Sequence, residues 1–193
     1  MVAPLHSNYR KTLPGGWLLM LAIAIFPLLA AAQSASVLER QVKAAYLYKF
    51  AGFVEWPDGV FTRPDSPVII GVAGADLLAE QLEAAVAGRN ANGRPLQVRR
   101  LRKGENVAGL HILFVSATLD KAPAQEMMTA VRGQPVLTVT DADEGAGLGA
   151  MISFVMQEER LRFEVALKHA VAAHLRISAR MLQAALRIQQ VAS

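Results

Sequence analysis

The chain contains no cysteine. That excludes disulfides, thiolate catalysis, thiol redox chemistry and cysteine-bound zinc, so a folded domain has to be held together by packing. Histidine is also scarce: beyond residue 33 there are only His111, His169 and His174. His169 and His174 stand five apart, the wrong spacing for one helical face, and neither His-x-His nor His-Glu-x-x-His occurs. Gly-x-Ser-x-Gly is missing, and Ser116 closes a strand-like run without a nameable partner. Before Gln33 the only charges are Arg10 and Lys11. There is no internal repeat, low-complexity tract or linker, and no second apolar run long enough to span a bilayer.

The single long apolar run is Trp17 to Ala30, fourteen residues, preceded by Arg10 and Lys11 and followed by Ala30-Ala31-Ala32. A positive start, a short apolar stretch and a small-x-small end predict a secretory signal peptide over residues 1–32, cleaved near Ala32. A spanning helix needs about 20 apolar residues, so an uncleaved anchor fits less well. The expected product, 33–193, is one exported domain with a hydrophobic core of its own. Removing the two basic residues takes the net charge from +4 to +4 − 2 = +2. The high pI therefore says little about an anionic partner. Export argues against nucleic acid.

The mature part reads as alternating helices and strands. Ser36-Val-Leu-Glu39 has the spacing of a capping box. Val42, Ala45, Tyr46, Phe50, Phe53 and Val54 then recur at helical intervals, and Pro57 stops the helix with Trp56 at its exit. Continuous apolar runs predict buried strands at Pro67–Ala73, His111–Ser116 and Pro135–Thr140, and Leu96–Leu101 reads as a short strand with basic residues on one side. Helices are expected over Leu77–Ala87 and Ala122–Arg132. Met151–Met156 and Arg160–Leu167 read as an antiparallel hairpin, the second strand alternating cleanly. A short helix or turn over Lys168–His174 follows, then a helix Ala179–Ile188 capped by Ser178. The predicted fold is a single α/β domain: a mostly parallel β-sheet, helices on both faces, and a C-terminal antiparallel hairpin.

Catalytic and cofactor motifs fail on context. Gly145-x-Gly147-x-Gly149 leads into a strand, whereas a phosphate loop must open a helix. It reads as a mobile loop. Gly71-Val-Ala-Gly74 lacks a third glycine and a following Lys-Ser/Thr, so a tight turn explains it. Asp141-x-Asp143-Glu144 resembles a calcium loop, but Ala146 and Ile152 stand where a glycine and a bidentate glutamate are required. These acids read as solvating an exposed loop. No cofactor, metal or catalytic residue is expected. Basic residues cluster at Arg94, Arg99, Arg100, Arg102 and Lys103, and again toward the C-terminus, mostly as solvated surface. A patch for an anionic ligand or acidic partner is the sharper reading of the second group. Its candidate contacts are Arg162, Lys168, His174, Arg176 and Arg180, with Arg162, Lys168 and Arg176 gathered by the hairpin and the turn after it. Trp56 joins them as a half-buried aromatic of the type that anchors interfaces. Tyr46, Phe50, Phe53 and Val54 read as core.

Several of these stretches together carry a resemblance. Gln41-Val-Lys-Ala-Ala-Tyr-Leu-Tyr-Lys-Phe-Ala-Gly-Phe-Val-Glu-Trp-Pro is similar to the opening signature of the YfiR-like family of periplasmic proteins. Asn92-Gly-Arg-Pro-Leu-Gln-Val-Arg-Arg-Leu, His111-Ile-Leu-Phe-Val-Ser and Val136-Leu-Thr-Val-Thr-Asp resemble later family stretches. So do Met151-Ile-Ser-Phe-Val, Arg162-Phe-Glu-Val and Leu175-Arg-Ile-Ser-Ala-Arg-Met-Leu. The likeness covers about Glu39 to Ile188. It implies a non-enzymatic periplasmic regulator that binds the periplasmic sensor region of an inner-membrane diguanylate cyclase and represses it. Cyclic di-GMP, and hence biofilm formation and motility, would fall under its control. The resemblance also implies sequestration by an outer-membrane lipoprotein and a capacity to dimerise. Some relatives carry cysteine pairs that form disulfides; this chain has none, so control by that route is closed. The competing expectation is a periplasmic small-anion-binding module feeding a different membrane sensor or a transporter. An uncharted hydrolase is a third.

Overall fold

A computed structural model describes residues 16–143, 145 and 147–189, with side chains from residue 35 onward. Arg10 and Lys11 of the expected signal peptide, and Glu144 and Ala146 of the acidic loop, lie outside the described residues. The chain divides into two compact units, Met1–Leu38 and Glu39–Ser193. The described backbone of the first is helical from Gly16 onward. The second holds the sheet and every site discussed below.

The first helix, α1, runs Gly16–Phe53. It passes through Ser36, so the capping box expected there does not start a helix: the apolar segment before it is itself helical, and Ser36 sits in mid-helix. The apolar stripe also lies about one residue away from the one predicted. Ala44, Leu47, Phe50, Ala51 and Val54 are buried, whereas Ala45 is exposed.

After β1 (Val54–Glu55), the sheet strands are β2 (Val68–Ala73), β3 (Asn90–Ala91), β4 (Arg94–Leu101), β5 (Ile112–Val115), β6 (Leu137–Thr140), β7 (Ile152–Gln157), β8 (Arg160–Ala166) and β10 (Arg187–Gln189). They form one eight-stranded sheet in the order β10-β8-β7-β6-β5-β2-β4-β3. Pairings from β4 through β7 are parallel; β7–β8 and β3–β4 are antiparallel, and β10 lies parallel to β8. A separate ribbon pairs β1 with β9 (Arg176–Ile177), antiparallel.

Alternation along the strands sorts the core into two layers. Val68, Ile70, Val72, Ile112, Phe114, Leu137 and Val139 share one cluster with α1 and with α2 (Asp76–Val86), which contributes Leu78, Ala79, Leu82 and Val86. Ala73, Leu113, Val115 and Val136 point the other way, onto α3 (Lys121–Ala130) through Ala124, Met127 and Met128. The parallel sheet with helices on both faces and the C-terminal hairpin are as predicted. The chain crosses from β4 to β5 over β2 without a helix. Gly71 allows that close passage, because a Cβ there would lie 2.7 Å from Leu110 and 2.9 Å from Leu101. Tyr46, Phe50, Phe154 and Phe163 stack where α1 meets the hairpin, with centroids 5.2–6.1 Å apart. Burying each such ring adds about 2 kcal/mol or more.

The C-terminus departs from expectation. After α4 (Leu167–Ala172) and β9, α5 covers only Ala179–Ala184. Ser178 caps it as predicted, its hydroxyl accepting from the Met181 N–H at 3.3 Å. The helix expected as far as Ile188 stops early because the chain turns extended at Ala185. Arg187–Gln189 then pairs with Glu164–Ala166. An open edge of β8 offers a full set of backbone partners there, and tertiary pairing wins over the weak local helical pattern.

Candidate functional site

Helix α1 ends at Phe53 because its next two residues are taken by the β1–β9 ribbon, and the Ser178 N–H donates to the Phe53 carbonyl at 2.9 Å. Trp56 follows directly and precedes Pro57, which bars it from helical geometry. Its indole meets Phe61 edge-on (centroids 5.9 Å, 78°) and His111 edge-on (6.0 Å, 80°). Phe61 in turn stacks flat on His111, 4.5 Å away and 5° from parallel. The Arg94 guanidinium lies 3.8 Å over the Phe61 ring. One of its nitrogens, Nη1, donates to the carbonyls of Arg63, Pro64 and Ser66 at 2.8–3.2 Å. A single arginine thus ties together the loop that carries Phe61. His111 accepts the Ile69 N–H on Nδ1 at 3.1 Å. Burial first, and the Arg94 charge second, lower its pKa to about 4. A cleft of about 410 Å³ opens between Trp56, Glu55, Asp58, Phe61, Asn92 and Arg94.

The β1–β9 ladder sets Glu55 opposite Arg176, and Trp56 follows Glu55 directly in the chain. Lys168, His174, Arg176 and Arg180 are all exposed. Among the described residues none of the four has an ion-pair partner. His174 adopts φ 57°, the left-handed region, at the turn between α4 and β9. Burial, then the Lys168 charge, then the Arg132 charge lower the pKa of neighbouring His169. Arg162 sits opposite Val155 in the hairpin ladder, half-buried, on a different strand from Arg176.

The other basic cluster is mostly structural. Arg99 donates to the Asn106 and Ala108 carbonyls, and Arg100 makes a two-pronged pair with Glu83 at 2.7–2.9 Å.

At the carboxyl ends of the parallel strands, where α/β sheets commonly hold ligands, the space is taken by the protein itself. Lys43 from α1 reaches Asp141 at 2.7 Å and Glu39 at 2.5 Å. The other Asp141 oxygen accepts the Ala117 N–H at 2.7 Å. Asp141 is thus a tie between α1, the end of β5 and the end of β6, not a solvating acid as the sequence reading had it. Gly145 is no loose hinge either, because a Cβ on it would overlap the side chains of Ser153 and Thr140. Sequence reasoning missed Lys43 altogether. Its signal was a lysine within the apolar stripe of α1, which needs a buried partner.

These observations define the class: one α/β domain on a mostly parallel sheet, whose candidate site is a surface of half-buried aromatics beside unpaired bases. Residues 40–186 match the YfiR/HmsC-like family model, and the chain belongs to that family. No curated protein matches it.

Proposed function

We propose that the protein is a non-enzymatic periplasmic regulator. In this reading it binds the periplasmic sensor region of an inner-membrane diguanylate cyclase and represses it, lowering cyclic di-GMP. Family membership supports this reading, since it spans nearly the whole of the second unit. The observation that carries the docking surface is the β1–β9 ribbon, which pairs exposed Arg176 with Glu55, the residue directly before half-buried Trp56. Interface anchors are enriched in tryptophan and arginine, and an aromatic fixed by packing loses little freedom on binding. Lys168 and Arg180 add unpaired positive charge, and His174 an exposed imidazole, which suits an acidic partner face and speeds encounter. Arg162 is a more distant contact on the hairpin. Residues 1–32 direct export, and an outer-membrane lipoprotein competes for the same protein.

The test is intracellular cyclic di-GMP in a deletion strain, complemented with the full chain or with a form lacking residues 1–32. A rise on deletion that only the exported form reverses is expected. An unchanged level across several growth conditions overturns the cyclase assignment.

A further inference from the structure

A second cleft, about 460 Å³, lies at the amino ends of the parallel strands, on the opposite side of Phe61 in sequence from the Trp56 cleft. It falls within the 300–1,000 Å³ typical of small-ligand sites. Ile69, Leu110, Pro135 and Val136 give it apolar walls, and Thr62, Arg63, Ser66, His111 and Gln134 supply its polar groups.

His111 is the unusual member. Its side chain is nearly enclosed, at 7% exposure. Nδ1 is committed as an acceptor to the Ile69 N–H. A neutral imidazole that accepts on Nδ1 must carry its proton on Nε2. Nε2–H has no acceptor among the described residues. The ring is locked by its stack on Phe61, so this donor cannot swing away. A positioned donor without a protein acceptor, on a ring that lines a partly apolar cleft, has the form of a ligand-orienting group. Arg63 is the one charged residue other than His111 that lines the cleft, where no carboxylate does; it is paired with Asp65 outside the lining at 3.3 Å, with both side chains over 70% exposed, and Arg94 acts on His111 electrostatically. An acceptor with negative charge is therefore favoured over a neutral one.

We propose that this cleft binds a small apolar carboxylate, whose hydrocarbon part packs on Ile69, Leu110 and Val136 and whose oxygen accepts from His111 Nε2–H. The cleft adjoins the Trp56 cleft through Phe61, which lines both, and its ligand is recognised whether or not a cyclase is the partner.

The probes are hexanoate and benzoate, each against its own amide, titrated into the full chain. The readouts are the imidazole resonances of His111 and the fluorescence of Trp56, with Trp17→Phe removing the only other tryptophan. At least one acid is expected to saturate at or below about 1 mM. It should shift the His111 Nε2 resonance and bind at least about tenfold tighter than its amide, the factor that corresponds to 1.4 kcal/mol. Arg63→Glu, at an exposed rim position, should weaken the acid and leave the amide unaffected. His111→Phe, which keeps the stack, should abolish the preference for the acid. The proposal is overturned if no acid saturates, if acid and amide bind alike, or if binding leaves the His111 resonances in place.

Discussion

Trp56 packs edge-on against Phe61 and His111 and leaves part of its surface in solvent. That divided environment allows fold and docking to be separated by one substitution. Trp56→Ala should cost about 2 kcal/mol, less than for a fully enclosed tryptophan, while raising cyclic di-GMP most of the way to the deletion level. Thermal melting and the cyclic di-GMP assay on the same variant check this. Equal loss of fold and repression would make Trp56 an ordinary core residue. His111 makes a separate prediction at the same scale. Its folded pKa of about 4 lies below the ordinary value of 6.5. Between those values the unfolded chain binds the extra proton, so stability falls as pH drops from about 6.5 toward 4. The loss is bounded at about 3 kcal/mol. Protonation would also turn Nδ1 into a donor facing the Ile69 N–H. Denaturant midpoints across that range should slope for the native chain and flatten for His111→Phe.

At the scale of elements, the two hairpin turns differ in quality. Asn92-Gly93 joins β3 to β4 with φ of 51° and 79°, and Ala91 pairs with Arg94. That is the preferred two-residue turn for a right-twisted hairpin. Glu158-Glu159 joins β7 to β8 with φ of 48° and 60°, the same conformation in residues that disfavour it. Replacing Glu158-Glu159 by Asn-Gly should therefore stabilise the domain by about 1 kcal/mol, read as a higher urea midpoint with unchanged slope. No gain would mean the glutamates make compensating contacts. The same comparison explains what could be read from the sequence. The buried runs of β2, β5 and β6 and the alternation of β8 were legible because burial fixes them. The Asn92-Gly93 pair is itself a hairpin signal. β1, β9 and β10 are two or three residues long. Their pairing depends on partners more than 20 or 100 positions away, which no local pattern encodes. For the same reason the gathering of Arg162, Lys168 and Arg176 expected from the hairpin and the turn after it could not be derived from the sequence: strand register, and not proximity in sequence, decides which bases meet.

Across the whole domain, α1 is fixed at two points. The β1–β9 ribbon holds its end beside Trp56, and Lys43 holds its middle to Asp141, which in turn grips the Ala117 N–H. Burial works against the Lys43 charge, but hydrogen bonds to Asp141 and Glu39 outweigh it and raise its pKa above the ordinary 10.5. A group raised in this way contributes its stability fully below its unfolded pKa and loses it as pH rises through the folded one. Lys43→Met keeps the length of the side chain and leaves Asp141, itself only 16% exposed, without its cation. Removing one partner of such a pair costs about 3 kcal/mol, far more than an exposed pair would. Lys43→Met with Asp141→Asn should recover part of that loss, because the uncompensated charge is gone while the acceptor for Ala117 remains. Urea unfolding of the four chains gives the coupling directly. Above about pH 10.5 the native chain should lose stability relative to Lys43→Met. If the two chains keep a constant difference through that range, the Lys43–Asp141 tie is not what anchors α1 to the sheet.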